Sequence, residues 1–357
     1  MKLPVLKLVK PPLVFILYIF LLAILSSLAV FAFYFYQPYQ NKLSSNLNIS
    51  SNDRGLLLKF DLSQSDKTGL VGLARSLGLD WGGENLGLSL NNSFSDWFKA
   101  TTPLKIGLKA DVSSLKFNAT LNSLPKGDGQ DAWGKLNFTP SNALLYAQVP
   151  NAKAMINLPG NSILNSLENT LSVVAFPGNK EIDFAVIGKI QDKAKLEAEL
   201  KKLKNIESQS IGRTEGAGIG YNESKVDDVN YYSITSADSP FVSTFGLVGE
   251  NVVMGSNPEA FTKVLRVYQG REDSLSSQDY FKSVRLQLPP GSSGSLYLNF
   301  RQLKSFDAES LKKVLKPYFS LEIKKEFEPA LAVVTKIGSL GVVWSEQGVA
   351  QGYLGLP

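Results

Sequence analysis

Two short motifs contain the residue types of a serine acyl-enzyme, in which a lysine activates a serine nucleophile. Ser113 and Lys116 have the Ser-x-x-Lys spacing, and Lys67 begins a Lys-Thr-Gly element like that of the penicillin-binding enzymes. The order is wrong, because the Lys-Thr-Gly element should follow the nucleophile. Ser113 also lies in a predicted hairpin turn, whereas the nucleophile should begin a helix. A Ser/Lys or carboxylate hydrolase is therefore the least favoured of three functional classes.

Two loops have compositions that resemble ligand-binding loops without meeting their spacing. Gly216, Gly218 and Gly220 are too closely spaced for a dinucleotide-binding loop, and a strand rather than a helix is predicted after them. Asp128 and Asp131 lie in a Gly-rich loop, but a calcium loop needs acidic ligands at alternate positions and a closing glutamate. We interpret both loops as turns, so no metal or cofactor is predicted.

Pairs of carboxylates could provide general acid–base chemistry if the fold brought them together. Asp227 and Asp228 are adjacent, and Glu181 and Asp183 are separated by one residue. Nothing in the sequence indicates that either pair converges on a substrate. We therefore assign no catalytic, cofactor-binding or metal-binding residue, and the ligand-binding residues are unknown from the sequence.

Aromatic side chains and glycosylation motifs form a further group of candidates. An exposed aromatic residue can mark a ligand surface, but a core or edge-strand position is the commoner explanation. Asn-x-Ser/Thr motifs accept glycans in secretory proteins, although the abundance of Asn and Ser here explains most of them by chance. The aromatic candidates are Trp81, Trp97, Trp133, Tyr231 and Tyr232, and the motifs begin at Asn48, Asn91, Asn118, Asn137 and Asn222.

The chain contains no cysteine and no histidine. The absence of cysteine excludes disulfides, thiolate nucleophiles and clusters held by thiolates. The absence of histidine removes the commonest metal ligand and the commonest general base. Because no fold can restore a missing side chain, we predict a non-enzymatic protein without a cofactor.

The segment at residues 11–39 reads PPLVFILYIFLLAILSSLAVFAFYFYQPY and contains no charged residue. Its strongly apolar part, residues 13–36, is close to the ~20 residues that cross a bilayer as a helix. It exceeds the ~7–15 apolar residues of a signal peptide. Lys2, Lys7 and Lys10 precede it, which favours a cytoplasmic N-terminus. We expect a retained single-pass anchor, with a cleaved signal or a buried core helix as the alternatives.

The net charge of +5 does not indicate a nucleic-acid-binding protein. Three of the 37 basic residues precede the apolar segment, and the 34 that follow are balanced by 32 acidic residues. A near-neutral body offers no electrostatic surface for phosphates. The predicted partners are the membrane, through residues 13–36, and an envelope protein or a lipid, with no nucleic acid.

After a polar tether at residues 37–54, the pattern alternates between short strands and single helices. Period-two alternation predicts a hairpin from strands at 104–110 and 115–121, and two more hairpins turn near residues 249–251 and 346–348. Apolar stripes at helical spacing predict helices at 191–205, from Pro258 to Gly270, and from Asp307 to residue 319. Each helix has one apolar face, so each should lie on a sheet.

Three segments, which begin at Arg54, Asn142 and Ser293, share a plan of strand, polar break and helix. They suggest duplication of one α+β module. Chance convergence on a common strand–helix pattern is the alternative.

The stretch from Asn142 to about Arg301 has a characteristic order of motifs. A strand closes on a glycine in FGLVGENVVMGS, NPEA opens a helix, a Gln-Gly pair ends it, and Ser-Leu introduces the next segment. In this order the stretch resembles the bacterial domain of unknown function 3352 family. The resemblance implies a membrane-anchored or exported envelope protein, often cyanobacterial. The motifs concern packing and capping, so the resemblance implies no catalytic residue.

We predict an α+β fold, with an N-terminal single transmembrane helix followed by antiparallel sheets packed with amphipathic helices. The expected divisions are a cytoplasmic N-terminus at 1–12, the anchor at 13–36, the tether at 37–54, a first α+β subdomain at 55–125 and the family-like α+β domain at 135–357. The expected protein is a binding or scaffold protein of the bacterial cell membrane, with its body in the periplasm or lumen. A carrier or chaperone for a lipid or other apolar molecule is the alternative, and it requires a large dry cavity.

Overall fold

The computed structural model describes residues 47–52, 55–60, 68–69, 71–72, 86–90, 105–110, 113–120, 131–155, 163–179, 182–210, 219–236, 239–303, 337–345 and 349–356. The chain divides into two compact units. Unit 1 contains Trp133–Gln278, and unit 2 contains the described parts of Ile16–Ala132 together with Asp279–Pro357. The domain limits expected from the sequence stay predictions.

Strands dominate the described part of the chain. In chain order they are β1 Leu47–Asn52, β2 Gly55–Phe60, β3 Leu86–Leu90, β4 Lys105–Ala110, β5 Ser114–Thr120, β6 Leu145–Val149, β7 Leu167–Pro177, β8 Ile182–Ile190, β9 Ile219–Val226, β10 Val229–Ser236, β11 Ser239–Val248, β12 Asn251–Gly255, β13 Gly294–Asn299, β14 Ser339–Trp344 and β15 Val349–Gly355. The helices are α1 Ala152–Met155, α2 Lys193–Ser210, α3 Pro258–Tyr268, α4 Asp279–Leu286 and α5 Phe300–Leu303. Short 3₁₀ turns occur at Leu136–Phe138, Ile163–Ser166 and Leu275–Ser277.

In unit 1, seven strands form an antiparallel sheet in the order β6-β7-β8-β12-β11-β10-β9. The hairpin expected near residues 249–251 is present, because β11 and β12 pair directly on either side of Gly249 and Glu250. Gly249 has a φ of 59°, a conformation that glycine adopts without strain. The turn chemistry read from the sequence thus sets this register.

Helix α3 begins and ends where the sequence predicts. The Asn257 side chain accepts a hydrogen bond from the amide of Ala260 at 2.7 Å, and Pro258 occupies the first turn, where a missing N–H is no loss. The chain leaves the helix at Gly270, whose φ of 70° suits a glycine. The apolar face of the helix is buried, at Phe261, Val264 and Leu265.

Two glycines of the sheet allow α3 to lie close to the strands. A Cβ at Gly255 would be 2.8 Å from the backbone N of Phe261 and 3.0 Å from the carbonyl O of Asn257. A Cβ at Gly246 would be 2.6 Å from Cζ of Phe261. Gly246 pairs with Val253, two residues before Gly255, so both glycines lie on the same face. Backbone contact therefore determines how closely the helix approaches.

In unit 2, five strands form an antiparallel sheet in the order β4-β5-β15-β14-β13, and β1, β2 and β3 form a separate three-stranded sheet. The hairpin predicted from 104–110 and 115–121 is present as β4 and β5. The third predicted hairpin joins β14 to β15, and its turn at 346–348 lies outside the described residues.

The two faces of the five-stranded sheet differ in polarity. Alternate residues of a strand point to opposite faces, and residues paired in register share a face. One face carries buried apolar side chains, at Leu115, Leu296, Leu298, Leu340, Val342, Trp344, Ala350 and Leu354. On the other face of β5 and β15 the side chains are polar, and Lys116, Asn118 and Gln351 are exposed. We call Lys116, Asn118, Gln351 and the half-buried Tyr353 the β5–β15 polar surface.

The prediction of an α+β fold is wrong. The described fold is mainly antiparallel sheet, and its helices are few and mostly short. The segments from Asn142 and Ser293 do contain a strand followed by helical residues, and the described residues of these two segments end within α1 and α5. Strand and helix periodicity are local, whereas the amount of sheet depends on pairing between distant segments, which no local pattern reveals.

The longer predicted helices have different outcomes. Helix α2 extends further than expected, to Ser210, and it buries Leu196 while the lysines of its first turns stay exposed. The helix expected from Asp307 lies outside the described residues, as does the apolar segment at 13–36. No helix within the described residues is long and apolar enough to cross a membrane.

Candidate functional site

The structure does not place the predicted serine and lysine in an enzyme-like setting. Ser113 is exposed just before β5, and its carbonyl accepts a hydrogen bond from the amide of Leu356 at 3.0 Å. Lys116 is exposed on β5 and pairs in register with Tyr353. An acyl-enzyme serine begins a helix, whereas this one precedes a strand. Lys67 lies outside the described residues.

The loops with ligand-like composition show no site in the described residues. Gly220 lies within β9 and pairs with Thr235, while Gly216 and Gly218 lie outside the described part of the chain. Asp131 is exposed and Asp128 is not described. Where the structure is described, no three His, Cys, Asp or Glu side chains are grouped so as to hold a metal ion.

Asp183 supports the beginning of helix α3. Its Oδ1 accepts a hydrogen bond from Nδ2 of Asn257 at 2.6 Å, and the Ser256 hydroxyl lies at 3.5 Å from the same oxygen. Asn257 in turn caps α3 through its own Oδ1. The carboxylate is only 6% exposed, so its hydrogen bonds hold β8 and the helix cap together. Glu181, its proposed acid–base partner, lies outside the described residues.

The adjacent acids Asp227 and Asp228 form the turn between β9 and β10. Their φ values of 47° and 66° are typical of a two-residue hairpin turn, in which aspartate is favoured. Asp227 binds Nη1 of Arg271 at 2.7 Å and Nε of Arg266 at 3.4 Å, which ties the hairpin to the end of α3. Asp228 binds Nζ of Lys225 at 2.9 Å, and this lysine lowers the pKa of the exposed carboxyl.

The described aromatic candidates mainly contribute to packing. Trp133 is buried and stacks on Tyr146 with ring centroids 5.7 Å apart. Tyr231 lies 5.4 Å from Phe261, and Tyr232 lies at the same distance from Phe245. Trp81 and Trp97 are not described.

Of the glycosylation motifs, Asn118, Asn137 and Asn222 are exposed, Asn48 lies in β1, and Asn91 is not described.

A polar cluster around Lys135 in unit 1 was not found from the sequence. Nζ of Lys135 donates a hydrogen bond to Oδ1 of Asn251 at 2.8 Å. The Tyr146 hydroxyl donates to Oε1 of Gln148 at 3.0 Å, and the Gly134 amide donates to the same oxygen at 3.0 Å. The cluster therefore joins residues 134–135 to β6 and to the first residue of β12.

Burial lowers the pKa of the Lys135 amine. Lys189 lowers it further, while the carboxylates of Glu168 and Glu250 act in the opposite direction. Lys189 is itself bound to Glu168 at 3.2 Å, and it pairs in register with Asn251. Charged side chains of both signs thus surround an amine that is half withdrawn from water.

An amine with a lowered pKa can act as a general base, but this one already donates to Asn251. Its partners are an amide and charges that belong to the sheet. The hydrogen bond therefore holds Lys135, near the start of unit 1, against the first residue of β12. No local signal could have revealed it, because Lys135 and Asn251 are 116 positions apart.

Comparisons with known proteins add little to this description. No family model matches the sequence, and no curated protein matches it. Among solved structures, crystal form I of TP0453 is similar, with 14% identity over 58% of this chain and 72% of that chain. The TM-score of 0.31 does not define a shared fold.

Proposed function

We propose that this chain is a non-enzymatic binding or scaffold protein of a bacterial envelope. It is attached to the membrane through residues 13–36, and its body lies on the extracytoplasmic side. The apolar segment and the three lysines before it support this location. The order of motifs between Asn142 and Arg301 supports membership of the domain of unknown function 3352 family.

The main support for a non-enzymatic role is that the candidate acids hold parts of the fold together. Asp183 holds the cap of α3 through Asn257, and Asp227 holds two arginines. A catalytic acid or base must be free to exchange a proton with a substrate, whereas these carboxylates are engaged with the fold. Lys135 is engaged in the same way with Asn251.

The binding surface we propose is the β5–β15 polar surface in unit 2. Gln351 pairs directly with Asn118, and Tyr353 pairs directly with Lys116, so all four side chains share one face. Two amides, an amine and a phenol can together donate and accept hydrogen bonds, which suits the polar surface of another protein. The opposite face of the same strands is apolar and buried.

The packing of unit 1 favours this role over that of a carrier for an apolar molecule. Tyr146, Phe176 and Phe261 are among the largest fully buried side chains. Register places Tyr146 and Phe176 on the face that α3 covers, and Phe261 belongs to α3 itself. These side chains occupy the space between the unit 1 sheet and α3, where they form a packed core.

The location of the body is tested first by single-cysteine labelling. The chain has no cysteine, so only the introduced thiol can react. Ser283→Cys places a thiol on the exposed side of α4, and Leu3→Cys places one before the apolar segment. In intact cells with a permeabilised outer layer, a membrane-impermeant maleimide should label the Ser283→Cys variant and spare the Leu3→Cys variant. Labelling of both positions, or of position 3 alone, would contradict the proposed orientation.

The binding role is tested by site-specific photocrosslinking in the native membrane. A photoreactive residue at Asn118 lies on the β5–β15 polar surface, and one at Glu223 on exposed β9 of unit 1 is the control. We expect Asn118 to yield one discrete protein adduct that Glu223 does not. A lipid adduct at Asn118 would favour the carrier, and equal patterns from the two positions would contradict a specific surface.

A further inference from the structure

The interior of unit 2 contains three buried polar atoms that have no hydrogen-bond partner among the described residues. They are the hydroxyl of Tyr297 and both amide atoms, Oδ1 and Nδ2, of Asn299. Tyr297 is 0% exposed and Asn299 is 1% exposed, so bulk solvent does not reach them. Folded proteins pair nearly all such atoms, because an unpaired buried group is destabilising.

Both side chains lie on the face of β13 that α4 covers. They are two residues apart on the strand, so they point the same way. Phe281 of α4 meets the Tyr297 ring edge-on, with centroids 5.0 Å apart. Ser339 pairs with Asn299 in register and therefore shares this face.

Two neighbouring hydroxyl groups indicate that these atoms converge on one place. Burial raises the pKa of Tyr297, Tyr280 adds to this rise, and hydrogen bonding toward Ser339 opposes it. Burial also raises the pKa of Tyr280, and hydrogen bonding toward Asn299 opposes that rise. Ser339 pairs with Asn299 in register, and Tyr280 precedes Phe281, which contacts the Tyr297 ring. Both hydroxyl groups therefore border the three atoms, but their distances or angles fall short of a hydrogen bond.

We propose that Tyr297 and Asn299 bind a neutral hydroxyl group inside unit 2, supplied by water or by a small alcohol. Nδ2 of Asn299 donates to the oxygen of this group, Oδ1 accepts its hydrogen, and the Tyr297 hydroxyl completes the set in either role. Two to four polar partners are what an internal water needs.

The charges around the site argue for a neutral guest. Arg301, the cation that acts on both tyrosines, is exposed and lies over the Tyr280 ring at 5.7 Å from its centroid. It is therefore outside the buried site. An anion held there without a buried cation would lose its hydration without compensation.

The first test is the sign of a shape-conserving substitution. If a guest bonds the Tyr297 hydroxyl, Tyr297→Phe breaks that bond and should raise the equilibrium constant for unfolding about tenfold. If the hydroxyl has no partner, the same change removes a destabilising group and should lower that constant, which would overturn the proposal. Tyr146→Phe is the matched control, because the buried Tyr146 hydroxyl is bonded to Gln148.

The second test identifies the guest in crystals of the chain, with and without ethylene glycol as the probe. A single ordered oxygen bonded to Tyr297 and Asn299 under both conditions supports the site with water as its occupant. Replacement of that oxygen by the diol supports the site with a small alcohol as its occupant. Direct bonds from Tyr297 and Asn299 to Ser339 and Tyr280, with no atom between them, would overturn the proposal even if Tyr297→Phe were poorly folded.

Discussion

The amine of Lys135 donates a hydrogen bond to Oδ1 of Asn251 at 2.8 Å, and so connects the start of unit 1 to the beginning of β12. Asn251 is 7% exposed, and Lys135 is half-buried. Hydrogen bonds to charged groups contribute more than neutral ones when water is partly excluded. The contact should therefore contribute measurably to the stability of unit 1.

Replacement of Asn251 by alanine should lower the free energy of unfolding by about 1.5–3 kcal/mol, because the Lys135 amine loses its acceptor while it stays partly buried. The measurement is urea unfolding of the purified chain. Lys135→Met keeps the apolar stem and serves as the partner variant. In the double variant the two losses should not add, since they remove the same bond. Simple additivity would mean that the bond contributes nothing.

The stability of the chain should depend on pH through Lys135. Burial lowers the pKa of this amine below its ordinary value of 10.5. Between the lowered pKa and 10.5 the unfolded chain binds the proton and the folded chain does not, so the free energy of unfolding rises with pH. Lys135→Met should lose this rise relative to the original chain, as followed by urea unfolding at a series of alkaline pH values. If the free energy of unfolding rose equally with pH in the two proteins, Lys135 would not be the group responsible for the rise.

Asp183→Ala should destabilise unit 1 by about 1–3 kcal/mol, because it leaves the amide of Asn257 without its acceptor and weakens the cap of α3. Glu197→Ala is the control, since Glu197 is exposed on α2 and surface changes usually stay within about 0.5 kcal/mol. Thermal unfolding compares the two variants. Equal, small shifts would show that Asp183 is not needed for the cap, and would restore it as a candidate for chemistry.

Gly255→Ala should cost about 3 kcal/mol or more, because the new Cβ would meet backbone atoms of Phe261 and Asn257. Gly188→Ala is a matched strand glycine whose Cβ would meet only the side chains of Leu167 and Leu171, the nearest atom at 2.6 Å. Side-chain ends can move, so this variant should lose less stability in the same urea experiment. The reverse order would mean that α3 can shift away from the sheet.

Several local features could be predicted because their causes are local. The Asn-Pro-Glu start of α3 and the glycine that ends it are read within a few residues, and both are found in the structure. The hairpins β4–β5 and β11–β12 follow from period-two alternation on either side of a turn.

The roles of individual polar side chains could not be predicted in the same way. Asp183 and Asn257 are 74 positions apart, and a pattern search considers each of them separately. The adjacent acids Asp227 and Asp228 are a candidate catalytic pair in the sequence, yet the preference of a tight turn for aspartate explains why both are present. Tyr297 and Asn299 gave no signal at all, since an alternating strand does not show which polar residues will be buried.

The sequence by itself determined the position of the β4–β5 and β11–β12 hairpins and of α3, the apolar segment at 13–36, and the absence of thiol and imidazole chemistry. These properties depend on composition and on neighbours within a few residues. Only the tertiary structure decided which acids hold the fold, which face of β5 and β15 is exposed, and where unpaired polar atoms are buried. Each of these depends on contacts between strands far apart in the chain, and such contacts exist only once the register of the sheet is set.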